Sequence, residues 1–353
     1  LGSATPSLET YYNAVTGKYT LLSPNSRPDN RPMPEIRLVD LRNDMNKMKD
    51  LFFSNEMASA LSASVEDGGQ AIIFLNRRGY SSYVFCRNCG RPEKCPDCDV
   101  PLVYHREGAK LKCHYCGHEK DPVLICPSCA KPLLFKGLGT QRVEDVLGKF
   151  FPGKRVLRVD LDSMKERDSY LDAYNRMRGR EIDILVGTQM IAKGFDFPEV
   201  TFAGIVSVDS MLNLPDFRAE ERVFQLITQV AGRTGRGEKP GLVYVQTFNP
   251  DSAGVKYGVS GDAKGFYESQ LAIRKQFGYP PFSRLLQVLC QDEKEEKAAA
   301  LADKAAELMD KAAKESEIHG MRMLGPAPAP LSRLRNKYRY SILVKARTAS
   351  DIN

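Results

Sequence analysis

The sequence predicts an α/β protein: a parallel sheet that carries a cysteine-rich insertion and is followed by a small α+β domain. Three observations support this prediction: strand and helix patterns that alternate, four Cys-x-x-Cys pairs that interrupt them, and a change of composition after about residue 266. A chain of 353 residues is long enough for two or three domains. It has no run of about 18 apolar residues, so no membrane-spanning helix is expected.

The alternation starts with a short apolar run at residues 70–75, which is typical of a buried strand. After the cysteines, periodicity predicts helices at 141–151, 169–178 and 220–230, and strands at 155–161, 182–186, 201–208 and 242–248. Strands that alternate with helices indicate a parallel sheet covered by helices. The cysteine-rich region is therefore predicted to be an insertion in an α/β domain.

Eight of the nine cysteines form four pairs, Cys86/Cys89, Cys95/Cys98, Cys113/Cys116 and Cys126/Cys129. Each pair places two thiolates on one tight turn and supplies half of a tetrahedral zinc site, so the four pairs predict two structural zinc ions. Disulfides of a secreted mini-domain are the alternative, but metal suits a large chain of cytosolic type better. The ninth cysteine, Cys290, is expected to be a buried core thiol.

Spacing alone leaves open which pairs share a zinc ion. The favoured nested arrangement has Cys86, Cys89, Cys126 and Cys129 in one site and Cys95, Cys98, Cys113 and Cys116 in the other. The 14 residues between the second and third pairs allow a hairpin, and nesting brings residues 84–85 beside the segment after Cys129. Sequential pairing and a crossed-brace pattern are the alternatives. With eight thiolates, His105, His114 and His118 are not needed as ligands.

Two glycine-rich loops lie where α/β sheets bind ligands, beyond predicted strand or helix ends. Residues 187–196 follow a strand, and residues 229–237 follow a helix. Glycines permit close backbone approach, and Arg233 and Arg236, three residues apart, can point at one phosphate cluster. The alternative is a pair of glycine-rich turns with exposed arginines.

Taken in order, these loops resemble motifs V and VI of superfamily 2 helicases, and Ser3-Ala4-Thr5 resembles motif III. The inserted cysteine pairs, together with residues 216–219 and 278–282, resemble the primosomal protein N-prime family of bacterial replication-restart helicases. The resemblance covers essentially the whole chain. It implies an α/β fold: a RecA-like parallel-sheet helicase lobe with an inserted two-zinc module of four cysteines per site, then a small α+β C-terminal domain.

The resemblance also implies how the chain is divided. Residues 1–20 would end helicase lobe 1, 21–85 begin lobe 2, 86–130 form the zinc-binding insertion, 131–260 complete lobe 2, and 261–353 form a truncated DNA- and partner-binding domain. The sequence has no Gly-x-x-x-x-Gly-Lys-Ser/Thr loop and no Asp-Glu magnesium motif. Lobe 1 is thus expected upstream of Leu1, and the chain alone is expected to lack ATPase activity.

By match to motif VI, Arg236 would be the arginine finger and Arg233 its companion on the phosphates, stabilising charge on the transferring phosphoryl group. Gln229 would couple the state of ATP to DNA contacts. Ser3 and Thr5 would link hydrolysis to strand movement.

By match to motif V, Lys193, Gly194 and Asp196 would lie nearest the nucleotide, and Thr188 would touch the DNA backbone. The implied cofactors are two structural Zn²⁺, plus ATP and Mg²⁺ at a site that the missing lobe 1 completes.

The C-terminal residues are predicted to form helices at 267–277 and 294–316, strands at 284–291 and 338–344, and a stiff linker at 326–330. In the long helix, Leu301, Ala305, Leu308 and Ala312 share one face, which is the candidate packing face.

Six cations and no acidic residue occur between residues 331 and 347, namely Arg333, Arg335, Lys337, Arg339, Lys345 and Arg347. The net charge of +7 is by itself weak support for nucleic acid. Basic residues interleaved with tyrosines suit single-stranded DNA; the alternative is that Tyr338 and Tyr340 face the core. Lys337 and Arg339 are candidate DNA contacts. From the resemblance, Arg347 is a candidate for the acidic tail of single-stranded DNA-binding protein.

The function implied is an ATP-dependent 3′–5′ DNA helicase that unwinds stalled or collapsed replication forks and initiates primosome assembly. Its partners would be branched and single-stranded DNA, single-stranded DNA-binding protein and other primosome proteins, with no membrane, and it would be a monomer in the cytoplasm at the nucleoid. A non-catalytic zinc-ribbon scaffold would not explain motifs V and VI. Another translocase of the superfamily would not explain the inserted cysteine pairs or residues 278–282.

Overall fold

The structure is a computed structural model. The residues it describes are 2–23, 33–41, 53–75, 83–86, 93, 96, 102–105, 108–112, 118–122, 124–126, 129–130, 133–136, 140–159, 167–187, 197–206, 208–212, 216–237, 239–318, 320–348 and 350–351. The chain divides into two compact units, one made of Leu1–Tyr80 and Leu138–Ser269, the other of Ser81–Gly137 and Gln270–Asn353. The predicted segment boundaries at residues 20, 85, 130 and 260 stay predictions.

The first unit is built on a six-stranded sheet in which every neighbouring pair is parallel. In spatial order its strands are β1 (Glu35–Asp40), β11 (Leu242–Thr247), β10 (Val200–Ile205), β2 (Gln70–Phe74), β9 (Ile184–Gly187) and β8 (Val156–Val159). The predicted parallel sheet is therefore confirmed. Its central strands are buried on both faces, as their continuous apolar sequences require.

Helices cover both faces of this sheet, and each face has its own apolar core. On one face lie α4 (Arg167–Arg178), α6 (Ala219–Ala231) and α7 (Ala253–Ser260), which bury Met177, Val223, Ile227 and Val255 against the strands. On the other lie α2 (Asn55–Glu66) and α3 (Thr140–Phe150), which bury Met57, Leu61, Val143 and Leu147. The first unit also contains α1 (Leu8–Val15) and α5 (Asp209–Leu212).

The cysteine-rich region of the second unit forms a five-stranded sheet in the order β6-β5-β4-β3-β7. The strands are β3 (Tyr83–Cys86), β4 (Val103–His105), β5 (Lys110–Lys112), β6 (Glu119–Lys120) and β7 (Leu133–Lys136). All recorded pairings are antiparallel, and β4 and β5 form the hairpin predicted between the second and third cysteine pairs.

The C-terminal part has a three-stranded antiparallel sheet, β12-β14-β13. It contains β12 (Arg284–Asp292), β13 (Arg322–Leu334), β14 (Lys337–Ala346) and the helix α9 (Glu295–Glu315), while α8 (Ala263–Phe277) precedes it. Cys290 is buried here, as predicted. Among the described residues, none of the helices is long and apolar enough to cross a membrane.

Two predictions for this part are wrong. Residues 326–330 are not a linker but lie within β13, at the edge of the three-stranded sheet. The ladder with β14 shifts register around the prolines, which are tolerated at a sheet edge. The predicted face of α9 is also wrong, because Leu301 and Leu308 are 50% and 59% exposed. Ala298, Ala302 and Ala313 are buried instead.

Candidate functional site

The residues that match motif VI sit on α6 and on the loop that follows it. Val223, Ile227 and Val230 on this helix are buried in the core of the first unit, which fixes the helix against the sheet. Gln229 lies in the last turn, and the helix ends at Ala231, with Gly232 as its C-cap. The position of the loop is thus set by a rigid element, not by the loop alone.

The glycines of this loop are required by its own backbone. Gly235 has φ of +68°, and a Cβ placed on it would lie 2.5 Å from the backbone nitrogen of Gly241. Its N–H donates to the carbonyl of Val200 at 2.9 Å, which ties the loop to β10. A Cβ on Gly237 would lie 2.5 Å from the carbonyl oxygen of Pro198. The close backbone approach that the sequence predicts is therefore an approach of the loop to other segments of the chain, at Gly241 and Pro198.

Both loop arginines are half-buried. The Nε of Arg236 donates to the carbonyl of Gly232 at 2.8 Å, which holds the start of its guanidinium against the end of α6. Thr234, between the arginines, is fully buried and its hydroxyl donates to the carbonyl of Val230 at 3.0 Å. The backbone that carries Arg233 and Arg236 is thus anchored by two hydrogen bonds, one from Thr234 to Val230 and one from Gly235 to Val200.

We expect Gly235→Ala to destabilise the first unit by about 2 kcal/mol or more, because an L-residue in the left-handed region costs about 1–2 kcal/mol and the clash with Gly241 adds to it. Gly148→Ala is the matched control, since Gly148 lies within α3 and a Cβ there meets nothing within 4 Å. Thermal unfolding should show a lower midpoint for the first variant and an equal or higher one for the second. Equal midpoints for Gly235→Ala and the wild type would contradict the role of Gly235.

The segment that resembles motif III lies against Gln229. The Nε2 of Gln229 donates to Thr5 Oγ1 at 3.2 Å, across 224 residues of sequence. Thr5 is buried, and its N–H donates to Ser3 Oγ at 3.1 Å. The structure therefore brings together Ser3, Thr5 and Gln229, which the sequence related only through the resemblance.

Other residues around Thr5 were not found from the sequence. Glu221, Gln225 and Tyr267 all bond the segment near Thr5. Glu221 and Gln225 precede Gln229 by eight and four residues, so helical spacing could have placed them on its face. No spacing pattern in the sequence relates Tyr267 to Gln229 or Thr5.

The residues that match motif V lie outside the described part of the chain. These are Thr188, Lys193, Gly194 and Asp196. The strand before them, β9, ends at Gly187, so the loop starts at the carboxyl edge of the sheet, as predicted.

The predicted zinc ligands are described in part. Cys86 ends β3, Cys126 is buried and Cys129 is half-buried, whereas Cys89, Cys95, Cys98, Cys113 and Cys116 lie outside the described residues. Strands β3 and β7 pair antiparallel from Tyr83↔Lys136 to Cys86↔Leu133. The segments beside the first and fourth pairs are therefore neighbours, as nesting requires. Among the residues that the structure describes, no group of three or more potential metal ligands is assembled.

The basic residues at the C-terminal end differ in exposure. Arg335 and Asn336, at φ of +50° and +62°, form the tight turn between β13 and β14. Arg335, Lys337 and Arg347 are exposed, and Arg339 is half-buried. We call residues 333–339 the basic hairpin.

Two of the basic residues, Arg333 and Lys345, make contacts within the second unit. Arg333 lies 4.8 Å from the ring centroid of Tyr338 and also donates to the carbonyl of Pro96. Lys345 is 8% exposed, and its Nζ donates to the carbonyl of Phe277 and lies 3.6 Å from the centre of the Tyr279 ring. Burial lowers the pKa of Lys345, and the charge of Arg322 lowers it further. The run of cations is therefore not one continuous exposed surface.

The tyrosines of β14 favour the alternative that they face inward. Tyr340 is half-buried, and its hydroxyl lies 3.3 Å from the carboxylate of Glu295 on α9. It lies on the same face of β14 as Ile342 and Val344, which are buried. Stacking of DNA bases on Tyr340 is not supported by this placement.

The fold and the loop after α6 define a helicase C-terminal lobe that carries a cysteine-rich insertion. Three family models match the chain accordingly: a helicase conserved C-terminal domain over residues 133–238, the PriA DNA helicase Cys-rich region over 95–120, and the primosomal protein N C-terminal domain over 275–353. The chain belongs to the family of the replication restart protein PriA.

Two relatives illustrate the match. Replication restart protein PriA of Bacillus subtilis is 43% identical over 354 residues, covering 100% of this chain and 44% of the relative. Replication restart protein PriA of Synechocystis is 37% identical over 356 residues, covering 98% of this chain and 42% of the relative. The chain thus spans less than half the length of these relatives. A structure of Mycobacterium smegmatis helicase Lhr bound to ssDNA and AMP-PNP matches 65% of this chain and 22% of its own, with 11% identity and a TM-score of 0.32, too weak to carry an argument.

Proposed function

We propose that this chain is part of an ATP-dependent 3′–5′ DNA helicase that recognises and unwinds stalled or collapsed replication forks and initiates primosome assembly. The observation that carries the proposal is the bond from Gln229 to Thr5, which joins the motif VI match to the motif III match within the first unit. Family membership supports it, because the relatives are replication restart proteins.

In this proposal the loop after α6 contributes fixed positive charge to an ATP site. Arg236 and Arg233 would stabilise the negative charge that builds on the phosphoryl oxygens, with Gln229 beside them. Lys193, Gly194 and Asp196 would contact the nucleotide. ATP and Mg²⁺ would be held mainly by a first lobe outside this chain, so the chain alone would not hydrolyse ATP.

Strand displacement from a forked DNA by the full-length protein tests the function. ATP-dependent displacement is expected with the wild type and not without nucleotide. A scaffold protein would bind the fork without displacing a strand, so binding alone would reject the helicase proposal.

We propose two structural zinc ions held in the nested arrangement. Cys86, Cys89, Cys126 and Cys129 would form one site, and Cys95, Cys98, Cys113 and Cys116 the other. The adjacency of β3 and β7 supports the first site, and the hairpin of β4 and β5 between the second and third pairs supports the second. Four thiolates close each site, so zinc would stabilise the fold and not act in catalysis.

The basic hairpin is the proposed DNA contact in the second unit. Lys337 is exposed at its end, Arg339 follows on β14, and Thr188 would add a contact in the first unit. The exposed Arg347 is the proposed site for the acidic tail of single-stranded DNA-binding protein. Other primosome proteins are proposed as further partners, and no membrane partner is proposed. The protein is proposed to be a monomer in the cytoplasm, at the nucleoid.

Replacing Arg335, Lys337, Arg339 and Arg347 with Ala should weaken single-stranded DNA binding and flatten its salt dependence. Each lost phosphate contact should reduce the slope of log K against log salt by about 0.7. Fluorescence anisotropy at several salt concentrations measures both quantities.

The matched control removes four exposed cations from α9, namely Lys297, Lys304, Lys311 and Lys314. It changes the net charge equally but leaves the basic hairpin intact. Equal losses of affinity in the two variants would mean that net charge alone, and not this surface, governs binding.

A further inference from the structure

The contacts around Thr5 extend along one stripe of α6. We call residues 3–15 the Thr5 segment. Four positions on or beside α6, three or four residues apart, lie on one helical face and bond successive parts of this segment. The bonds are Arg218 Nη2 to Glu9 Oε1 at 2.9 Å, Leu8 N–H to Glu221 Oε1 at 3.2 Å, Gln225 Nε2 to the Thr5 carbonyl at 3.4 Å, and Gln229 Nε2 to Thr5 Oγ1 at 3.2 Å.

Tyr267, on α8, also contacts the Thr5 segment. Its hydroxyl donates to the carbonyl of Pro6 at 2.9 Å, and its ring stacks on Tyr11 with centroids 4.2 Å apart. Burial raises the pKa of Tyr267 well above its usual value, and the charge of Glu221 raises it further. The hydroxyl therefore keeps its proton, and its role as donor, throughout the physiological pH range.

The helix in the Thr5 segment depends on these contacts. α1 has eight residues, and an isolated helix of that length is marginal in water. Its first residue, Leu8, is fully buried, and the N–H of Leu8 donates to the carboxylate of Glu221, which is 4% exposed. The N-terminus of a helix carries partial positive charge, so the buried carboxylate and α1 stabilise each other.

We propose that Glu221 and Tyr267 are positioning residues that hold Thr5 against Gln229, so that the Thr5 segment moves as one body with α6. The consequence for the motor rests on the proposed function, because a change at the nucleotide would then reach Thr5 through α6. The anchoring itself does not depend on that function.

Hydrogen exchange of the zinc-loaded chain tests the anchoring. In Tyr267→Phe and in Glu221→Ala, exchange of the amides of α1 should rise about 5- to 10-fold, the effect of losing one buried hydrogen bond. Exchange in β11 should not change. Glu221→Gln, which keeps an acceptor for Leu8, should have a smaller effect than Glu221→Ala. Tyr257→Phe removes a hydroxyl from the same aromatic cluster and serves as the control.

Unchanged exchange in α1 would overturn the proposal. An increase spread over β10 and β11 would overturn it too, since Glu221 and Tyr267 would then support the first unit in general.

In the full-length protein, the variants should unwind fewer base pairs per ATP hydrolysed while keeping their DNA-stimulated ATPase rate. Faster exchange with unchanged coupling would overturn joint movement. A wild type without helicase activity would reject the proposed function and leave the exchange result valid.

Discussion

Chelation of zinc is expected to unfold the cysteine-rich region, residues 83–136, while the six-stranded sheet stays folded. The strands β3 to β7 are only two to four residues long, too short to be stable without a further source of free energy. Four-thiolate zinc sites supply about 10–16 kcal/mol at pH 7 in small zinc-binding peptides. Hydrogen exchange should therefore become fast at Tyr104 and Leu111 but stay slow at Val243 and Val245.

Paired substitutions with Ser decide which cysteines share a zinc ion. With nested sites, Cys86→Ser with Cys126→Ser should lose one of two zinc ions, and Cys86→Ser with Cys95→Ser should lose both. Sequential pairing predicts the reverse, and a crossed brace predicts loss of both ions in either variant. Cys290→Ser, in the C-terminal sheet, is the control and should keep two zinc ions, as measured by elemental analysis of the purified chain. A wild-type chain that contains no zinc would contradict the prediction altogether.

The parallel sheet was predictable because its central strands are continuous apolar runs and its helices have a clear apolar face. Strand β10 and helix α6 were placed to within a few residues. The edge strand β1 and the short helix α1 were not predicted. For α1 the reason is physical: eight residues carry little periodicity, and the contacts of its first turn and of Pro6 are made with Glu221 and Tyr267, more than 200 residues away.

The two errors in the C-terminal part have local causes. The prolines at 326, 328 and 330 are typical of a linker, but a strand at the edge of a sheet needs fewer backbone donors and accepts them. In α9 the larger Leu301 and Leu308 suggested the packing face, yet the small residues Ala298 and Ala302 are the ones buried. The contact of Gln229 with Thr5 spans 224 residues, and no local pattern predicts it.

Replacing Arg236 with Ala in the full-length protein is expected to lower the DNA-stimulated ATPase rate by about 10³-fold or more, the usual effect of losing an arginine finger. The bond from its Nε to Gly232 holds the guanidinium at the end of α6, so the charge is preorganised. A fixed charge acts on the transition state more than on bound nucleotide, so kcat should fall much more than KM rises. Steady-state hydrolysis with saturating single-stranded DNA measures both.

Two further variants separate the role of Arg236 from a loss of charge or of fold. Arg236→Lys keeps the charge but not the planar fork or the bond to Gly232, so it should restore little activity. Arg178→Ala removes an equal charge from an exposed position on α4 and should leave hydrolysis unchanged. Because Gly235 and Thr234 anchor the loop through backbone and hydroxyl contacts, Arg236→Ala should unfold at nearly the wild-type temperature. Full hydrolysis by Arg236→Ala would mean that another residue supplies the charge, and that the bond from Arg236 to Gly232 only stabilises the turn.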